Sequence, residues 1–209
     1  MIQMKKNKKI LLIFIIILII VLGIVALIYF NSLKNQTEEP IKVLDVIDDF
    51  HYKLKENDSK LKKDLFYELK DILDKDEVNY QSYAEVLAKI FVVDVFSLDT
   101  KLNKYDIGGL DFILESEKEN YQNILSDTLY DIVENNYDGK RNQELPLVKN
   151  IEVTESTEGK FGFDNKEILS YDIVLTWTYE KDLGYDTTAL VKVGKVDEFM
   201  YIVSYSPNK

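Results

Sequence analysis

In the stretch LSYDIVLTWTYE, residues 169–180, the side chains alternate in polarity along almost the whole length. Six apolar or aromatic residues point one way: Leu169, Tyr171, Ile173, Leu175, Trp177 and Tyr179. Polar side chains occupy the positions between them, and only Val174 interrupts that polar set. A period of two is typical of a strand with one face on a core and the other in water, as in an antiparallel sheet. We therefore predict one long, half-buried strand here.

Three neighbouring segments also have strand patterns, and their order along the chain predicts how they pair. They are residues 148–153, 187–196 and 199–205. Only Asp197 and Glu198 separate the last two, which predicts a tight turn between adjacent antiparallel strands. With the central strand, these segments predict a bent antiparallel sheet of about four strands.

Helical periodicity precedes the sheet. Ser59 can cap a first helix, whose apolar stripe consists of Leu61, Leu65, Leu69, Ile72 and Leu73. A second helix should run from Gln81 to Leu98, and its centre, AKIFVVDVF (residues 88–96), is apolar nearly all round, which indicates burial on most sides. The sequence Asp106-Ile107-Gly108-Gly109 predicts a turn. A third helix should follow, with a stripe at Tyr121, Ile124, Leu125, Thr128, Leu129, Ile132 and Val133.

Residues 41–56 have two competing patterns. Phe50, Tyr52 and Leu54 alternate with polar residues as in a strand, whereas Leu44, Ile47 and His51 fit helical spacing. We favour the strand. The complete pattern predicts an α+β domain in which three helices pack on one face of the antiparallel sheet.

The N-terminal region predicts a membrane anchor. Residues 10–30 form an unbroken apolar run, long enough to cross a bilayer as a helix, and four lysines lie just before it. The positive-inside rule then keeps residues 1–9 in the cytoplasm and sends the rest across the membrane. A cleaved signal is less favoured because the run is long and no small-residue cleavage site follows. We assign residues 31–40 to a linker and residues 41–209 to one extracytoplasmic domain at the cell membrane.

Charge limits the partners. All 37 acidic residues follow the apolar run, so the exported part is strongly acidic. Direct nucleic-acid binding needs a basic surface and is not expected. The expected partners are membrane lipid, through residues 10–30, and proteins of the cell envelope; an oligomer is compatible with the sequence.

Catalytic and metal-binding patterns are weak. The chain has no cysteine and one histidine, His51, so thiolate chemistry is excluded and a zinc site has few ligands. No G-x-S-x-G motif precedes a serine, and Gly108-Gly109 lacks the spacing of a dinucleotide-binding loop. The sequence predicts no enzyme activity, catalytic residue, metal or cofactor.

Aromatic residues are the best candidates for a binding site. Tyr171, Trp177 and Tyr179 share one face of the central strand, and we expect Phe199, Tyr201 and Tyr205 to lie on its neighbour. Core packing would account for them. The alternative is a small cavity, between sheet and helices, that is lined by Tyr171, Trp177, Tyr179, Phe199 and Tyr201.

The architecture carries a family resemblance. Three helices and then four strands, with the second helix most buried, are similar to the cone-shaped nuclear-transport-factor-two-like fold. A lysine cap, one span, a linker and such a domain outside look like the inner-membrane assembly component of type IV secretion systems. YAEVLAKIFVVDVFSLD, residues 83–99, with the turn at residues 106–109, also resembles a recurring type of anchored protein from low-GC Gram-positive bacteria.

The resemblance implies one function and an alternative. The first is a membrane-anchored extracytoplasmic scaffold or interaction protein, of the kind that belongs to a conjugation or secretion complex. The alternative is a membrane-tethered module that binds a small ligand in the cavity between sheet and helices.

Overall fold

A computed structural model describes residues 21–26 and 41–207. The chain divides after Pro40 into two units. In the first unit, residues 21–26 are helical and exposed. Among the described residues, no helix combines the length and the apolar character that a bilayer crossing requires. Most of the predicted span, together with residues 1–9 and the linker at 31–40, lies outside the described ranges.

The second unit contains three α-helices in the described part of the chain: α1 (Lys60–Leu73), α2 (Tyr80–Phe96) and α3 (Lys118–Ser126). The Ser59 side chain accepts a hydrogen bond from the Lys62 amide at 3.1 Å, so the predicted cap of α1 is confirmed. Asn79 caps α2 in the same way through the Ser82 amide. Both helices therefore begin where a side-chain oxygen satisfies an otherwise unpaired amide.

The third helix is shorter than its apolar stripe predicts. It ends at Ser126, and the Tyr130 amide then bonds to the Leu125 carbonyl in a turn. Tyr130 is fully buried, and its hydroxyl donates to the Val95 carbonyl at 2.8 Å. The predicted continuation to Val133 is wrong because this long-range contact draws the chain out of the helix and against the end of α2.

Residues 41–56 form a hairpin and not a helix. Strand β1 (Val43–Ile47) pairs antiparallel with β2 (Tyr52–Lys55). A 3-10 turn, Asp48–Phe50, and His51 with φ of 58° connect them. The favoured strand pattern is confirmed for β2, and the helical reading is wrong because Leu44 and Ile47 are in strand β1 and His51 is in the turn.

Four strands form the main sheet: β3 (Val148–Phe163), β4 (Lys166–Tyr179), β5 (Thr188–Val196) and β6 (Phe199–Pro207). They pair in chain order, each antiparallel to the next, so the predicted meander is confirmed. Strand β3 runs ten residues beyond its predicted end at Val153. Its second half is mostly exposed, and the sequence there lacks the apolar alternation that would identify a strand.

The core lies between α2 and the sheet. Tyr83, Leu87 and Val92 on α2 have no exposed surface, and neither do Ile173 and Leu175 on β4. A helix that is apolar on most of its circumference needs neighbours on most sides, and α1, the sheet and the loops provide them. This arrangement confirms the α+β class.

Candidate functional site

Three of the five predicted cavity residues lie together on β4. Tyr171 and Trp177 are buried, and the Trp177 ring packs on Phe96 of α2 at 5.3 Å between centroids. The indole Nε1 donates to the Tyr179 hydroxyl at 2.8 Å, and that hydroxyl donates to the Asp186 carbonyl at 2.7 Å. These contacts hold Trp177 and Tyr179 at the end of the sheet.

Phe199 and Tyr201 lie elsewhere. Tyr201 pairs with Gly194, which pairs with Ser170, so its side chain is on the opposite face of the sheet from Tyr171. The expectation that all five residues share one face is therefore corrected. An irregularity between Lys192 and Val193 shifts the register of β6, and a sequence pattern does not reveal such a bulge. The Phe199 ring instead contacts Phe50 of the hairpin at 5.5 Å.

Tyr205 joins the β4 aromatic residues on the core face. Its ring lies 5.9 Å from Phe96 and 6.3 Å from Phe91. Its hydroxyl is buried and has no hydrogen-bond partner among the described residues. Burial, together with the nearby Asp186 carboxylate, raises the pKa of Tyr205, so the phenol stays protonated at neutral pH. A buried hydroxyl without a partner is costly and is an available handle for a ligand or water.

A buried group of charges forms a second polar site, which the sequence pattern did not indicate. The Asp94 carboxylate on α2 lies 2.6 Å from Lys101 Nζ and 3.0 Å from Lys62 Nζ. It also accepts a hydrogen bond from the Gly109 amide at 2.8 Å. Lys62 Nζ also lies 2.8 Å from the Asp58 carboxylate, so Asp58 belongs to the same group of charges. The only available signal was a lone aspartate inside an apolar helix, which is too weak to identify its partners.

Electrostatics keep this group ionised. Burial alone would raise the pKa of Asp94, but the ammonium groups of Lys101 and Lys62 and the Gly109 amide outweigh burial and hold it well below its usual range. Burial likewise opposes the charge of Lys101, and the carboxylates of Asp94 and Asp106 raise its pKa above its usual value. Opposite charges that are this close and this well buried fix the structure and do not exchange protons near neutral pH.

The turn at Gly108-Gly109 closes over these charges, and its prediction is confirmed. Gly109 has φ of 79°, which an L side chain rarely adopts, and a Cβ there would lie 2.8 Å from the Phe91 ring. A Cβ on Gly108 would lie 2.2 Å from the Asp94 carbonyl oxygen. Close approach therefore requires glycine at both positions, and backbone conformation requires it also at Gly109.

Other candidates offer little chemistry. His51 is exposed in the hairpin turn. In residues 21–26 and 41–207, no cluster of acidic residues or His51 is arranged to hold a metal ion. A groove of about 390 Å³ separates α1 from α2, but none of the five predicted cavity residues lines it. Its walls carry both charge signs, and Lys89 bonds to Glu68 at 3.2 Å within it.

The two edges of the main sheet differ sharply. At β6, the Met200 amide and carbonyl bond to the hydroxyls of Tyr83 and Tyr52, at 3.4 and 3.3 Å. At the other edge, no described strand pairs with the outer side of β3. Strand β3 therefore presents free backbone donors and acceptors, the feature that strand addition uses.

Comparison of the chain with known protein families, curated proteins and solved structures finds no match in any of the three. The fold and site therefore define the chain by class alone: an acidic α+β domain with a four-stranded antiparallel meander and an open edge at β3.

Proposed function

We propose that this chain is a membrane-anchored extracytoplasmic scaffold, which holds an acidic interaction domain at the outer side of the cell membrane and docks other components of an envelope complex. Residues 10–30 would supply the anchor. Within the α+β class, the proposed fold is of the nuclear-transport-factor-two-like type. The proposed envelope complex is a conjugation or secretion channel. Support for the fold comes from three helices that precede the four-stranded meander.

The open edge of β3 is the observation that carries this proposal. Six of the nine residues from Glu155 to Phe163 are exposed, and none is buried. Strand β5 pairs with β4 only between Ser170 and Thr176, so the far ends of β3 and β4 extend as a two-stranded arm. The outer edge of β3 runs along this arm and suits contact with another protein more than it suits catalysis, because main-chain hydrogen bonds can extend the sheet there.

Crosslinking in intact cells tests the scaffold function. A photoreactive phenylalanine analogue at Thr157, on the free strand, should yield discrete crosslinked protein species. The same analogue at Asp138, in an exposed loop, is the matched control and should yield far fewer. Equal, diffuse labelling from both positions would count against a docking function.

Topology needs its own test. Protease added to intact spheroplasts should digest the acidic domain, because the proposal places it outside the membrane. Protection of residues 41–209 until lysis would contradict the extracytoplasmic location.

A second candidate function rests on the Tyr205 hydroxyl. A small apolar molecule with one hydrogen-bonding group could satisfy that hydroxyl beside Trp177 and Tyr179. Because Trp177 is the only tryptophan, its fluorescence reports on this end of the sheet.

N-phenyl-1-naphthylamine is a suitable neutral probe, since it is apolar and has one N–H donor. Binding should quench Trp177 fluorescence, and Tyr205→Phe should weaken binding by about five- to tenfold, the usual worth of one hydrogen bond. Tyr201→Phe, on the opposite face, is the control and should have no effect. Unchanged fluorescence at saturating probe would exclude this candidate.

A further inference from the structure

The second half of β3 is regular in a way that its first half is not. Its pairing with β4 shifts between Val148 and Asn150 and again between Val153 and Glu155. From Glu155 to Phe163 the pairing continues without irregularity to Lys166 at the hairpin end. Bulges obstruct further pairing at a strand edge, so this nine-residue segment is the part of β3 that is best able to accept another strand.

The centre of this segment is Gly159. If the segment pairs antiparallel with its own copy over its full length, a two-fold axis passes through Gly159 and each residue faces the one equally far on the other side. Glu158 of one protomer then faces Lys160 of its partner, and the same pair forms again across the axis. Opposite charges directly across an antiparallel pair are stabilising, whereas like charges there are destabilising.

The side chains at the centre leave room for this approach. Gly159 and Gly162 carry no side chain, and a Cβ at Gly162 would meet no atom within 4 Å. Glu158 and Lys160 are both exposed. Within one protomer, Lys160 Nζ lies 2.9 Å from the Glu167 carboxylate, and both of these side chains are largely exposed. The Tyr171 hydroxyl donates to Glu158 at 3.4 Å. These contacts leave Glu158 and Lys160 accessible to a partner.

We propose that the occupant of the β3 edge is a second copy of this chain, paired antiparallel over Glu155–Phe163 with Gly159 on the two-fold axis. The two four-stranded sheets then become one continuous sheet. This inference rests on the proposed scaffold function and names the first contact that the scaffold makes. The two bonded edges are related by symmetry, so assembly through them closes at a dimer.

A charge swap tests the register. The full-length chain in detergent micelles is compared with Glu158→Lys, Lys160→Glu and the double variant by light scattering across a dilution series, at about 0.15 M salt where long-range repulsion is screened. Each single variant places like charges opposite each other twice, so the dimer dissociation constant should rise about tenfold. The double variant restores both pairs and should return to within about twofold of the wild-type value.

A disulfide test measures the same geometry independently. The chain has no cysteine, so an introduced thiol has no competitor. Directly opposed residues of antiparallel strands have Cα atoms about 4.5–5.5 Å apart, within the range that a disulfide joins. Gly159→Cys should therefore form a covalent dimer on mild oxidation. Gly162→Cys is the matched control, because its own copy would be about 20 Å away along the strand.

The possible outcomes separate this inference from the scaffold function. A chain that stays monomeric, a dimer that is insensitive to both single swaps, or equal crosslinking from Gly159→Cys and Gly162→Cys would overturn self-pairing. If Gly159→Cys or the Thr157 photoprobe then captured another protein in cells, the edge would belong to that protein and the scaffold function would stand. Far-ultraviolet circular dichroism identifies any variant that fails to fold, and the remaining variants decide the result.

Discussion

The Asp94 side chain contacts three separate parts of the domain. Its carboxylate joins α2 to Lys62 on α1, to Lys101 in the following loop and to the Gly109 amide. A buried ion pair adds little net stability compared with apolar packing, but breaking one leaves an uncompensated charge in a low dielectric. The ion pairs of Asp94 therefore affect stability mainly through the free energy that is lost when one partner is removed.

Asp94→Asn should destabilise the domain by about 3–5 kcal/mol, because Lys101 would keep its buried charge and lose its nearest partner. Urea unfolding measures this change. Asp131→Asn removes the partner of Lys104 at an exposed site and should cost under about 1 kcal/mol. Similar losses for both variants would show that Asp94 and its lysines behave as a surface pair.

The same residue predicts an acid-labile fold. The pKa of Asp94 is lower in the folded chain than the value of about 3.9 expected when unfolded, so the folded state binds fewer protons in acid. Its stabilising contribution is present above about pH 4 and is lost as the pH falls toward the folded pKa. The unfolding midpoint of the wild type should therefore fall more steeply between about pH 5 and pH 2 than that of Asp94→Asn.

Two glycines have similar positive φ angles, but replacing them with alanine should reduce the stability of the fold by different amounts. Gly109 and Gly139 have φ of 79° and 67°, but only Gly109 has a neighbour, Phe91, at 2.8 Å from a built Cβ. Gly139→Ala should cost about 1 kcal/mol from backbone strain alone. Gly109→Ala should cost more, since the Phe91 ring must also move, and thermal unfolding of the pair gives the difference. Equal shifts would mean that the core accommodates the methyl group freely.

Among the helices and strands, three of the predicted local features are those that the structure uses. Ser59 begins α1, the apolar circumference of α2 is buried, and the alternation of β4 separates core from outer face. The predicted ends of α3 and β3 were wrong for the same reason, which is that long-range contacts set both. Helix α3 ends early because Tyr130 bonds to α2, and β3 is extended by pairing with β4 and not by its own pattern.

The cap of α1 can be tested by a conservative pair. Ser59→Ala should lower the free energy of unfolding by about 1 kcal/mol, because the Lys62 amide loses its acceptor. Ser59→Asp keeps an acceptor at the same position and should retain most of the stability. Urea midpoints that fall equally in both variants would show that the hydroxyl, and not the cap, is needed.

In the unit from Ile41 onward, α2 connects α1 to the sheet, so this unit should unfold as one body. A fragment of residues 41–209 should show the same thermal midpoint by far-ultraviolet circular dichroism and by Trp177 fluorescence. Trp177 reports the contact of β4 with Phe96 of α2, whereas circular dichroism reports all elements. Separate midpoints would mean that sheet and helices melt independently.

Capping and hydrophobic periodicity are local properties of the chain, so the sequence alone was sufficient to predict the α+β class, the start of α1 at the Ser59 cap and the order of the strands in the main sheet. It also predicts the anchor at residues 10–30. The folded chain was needed to show which charges surround Asp94, which face Tyr201 occupies and which sheet edge stays open. Those features depend on contacts between residues far apart in the chain, and on a one-residue register shift in β6, neither of which leaves a periodic signal.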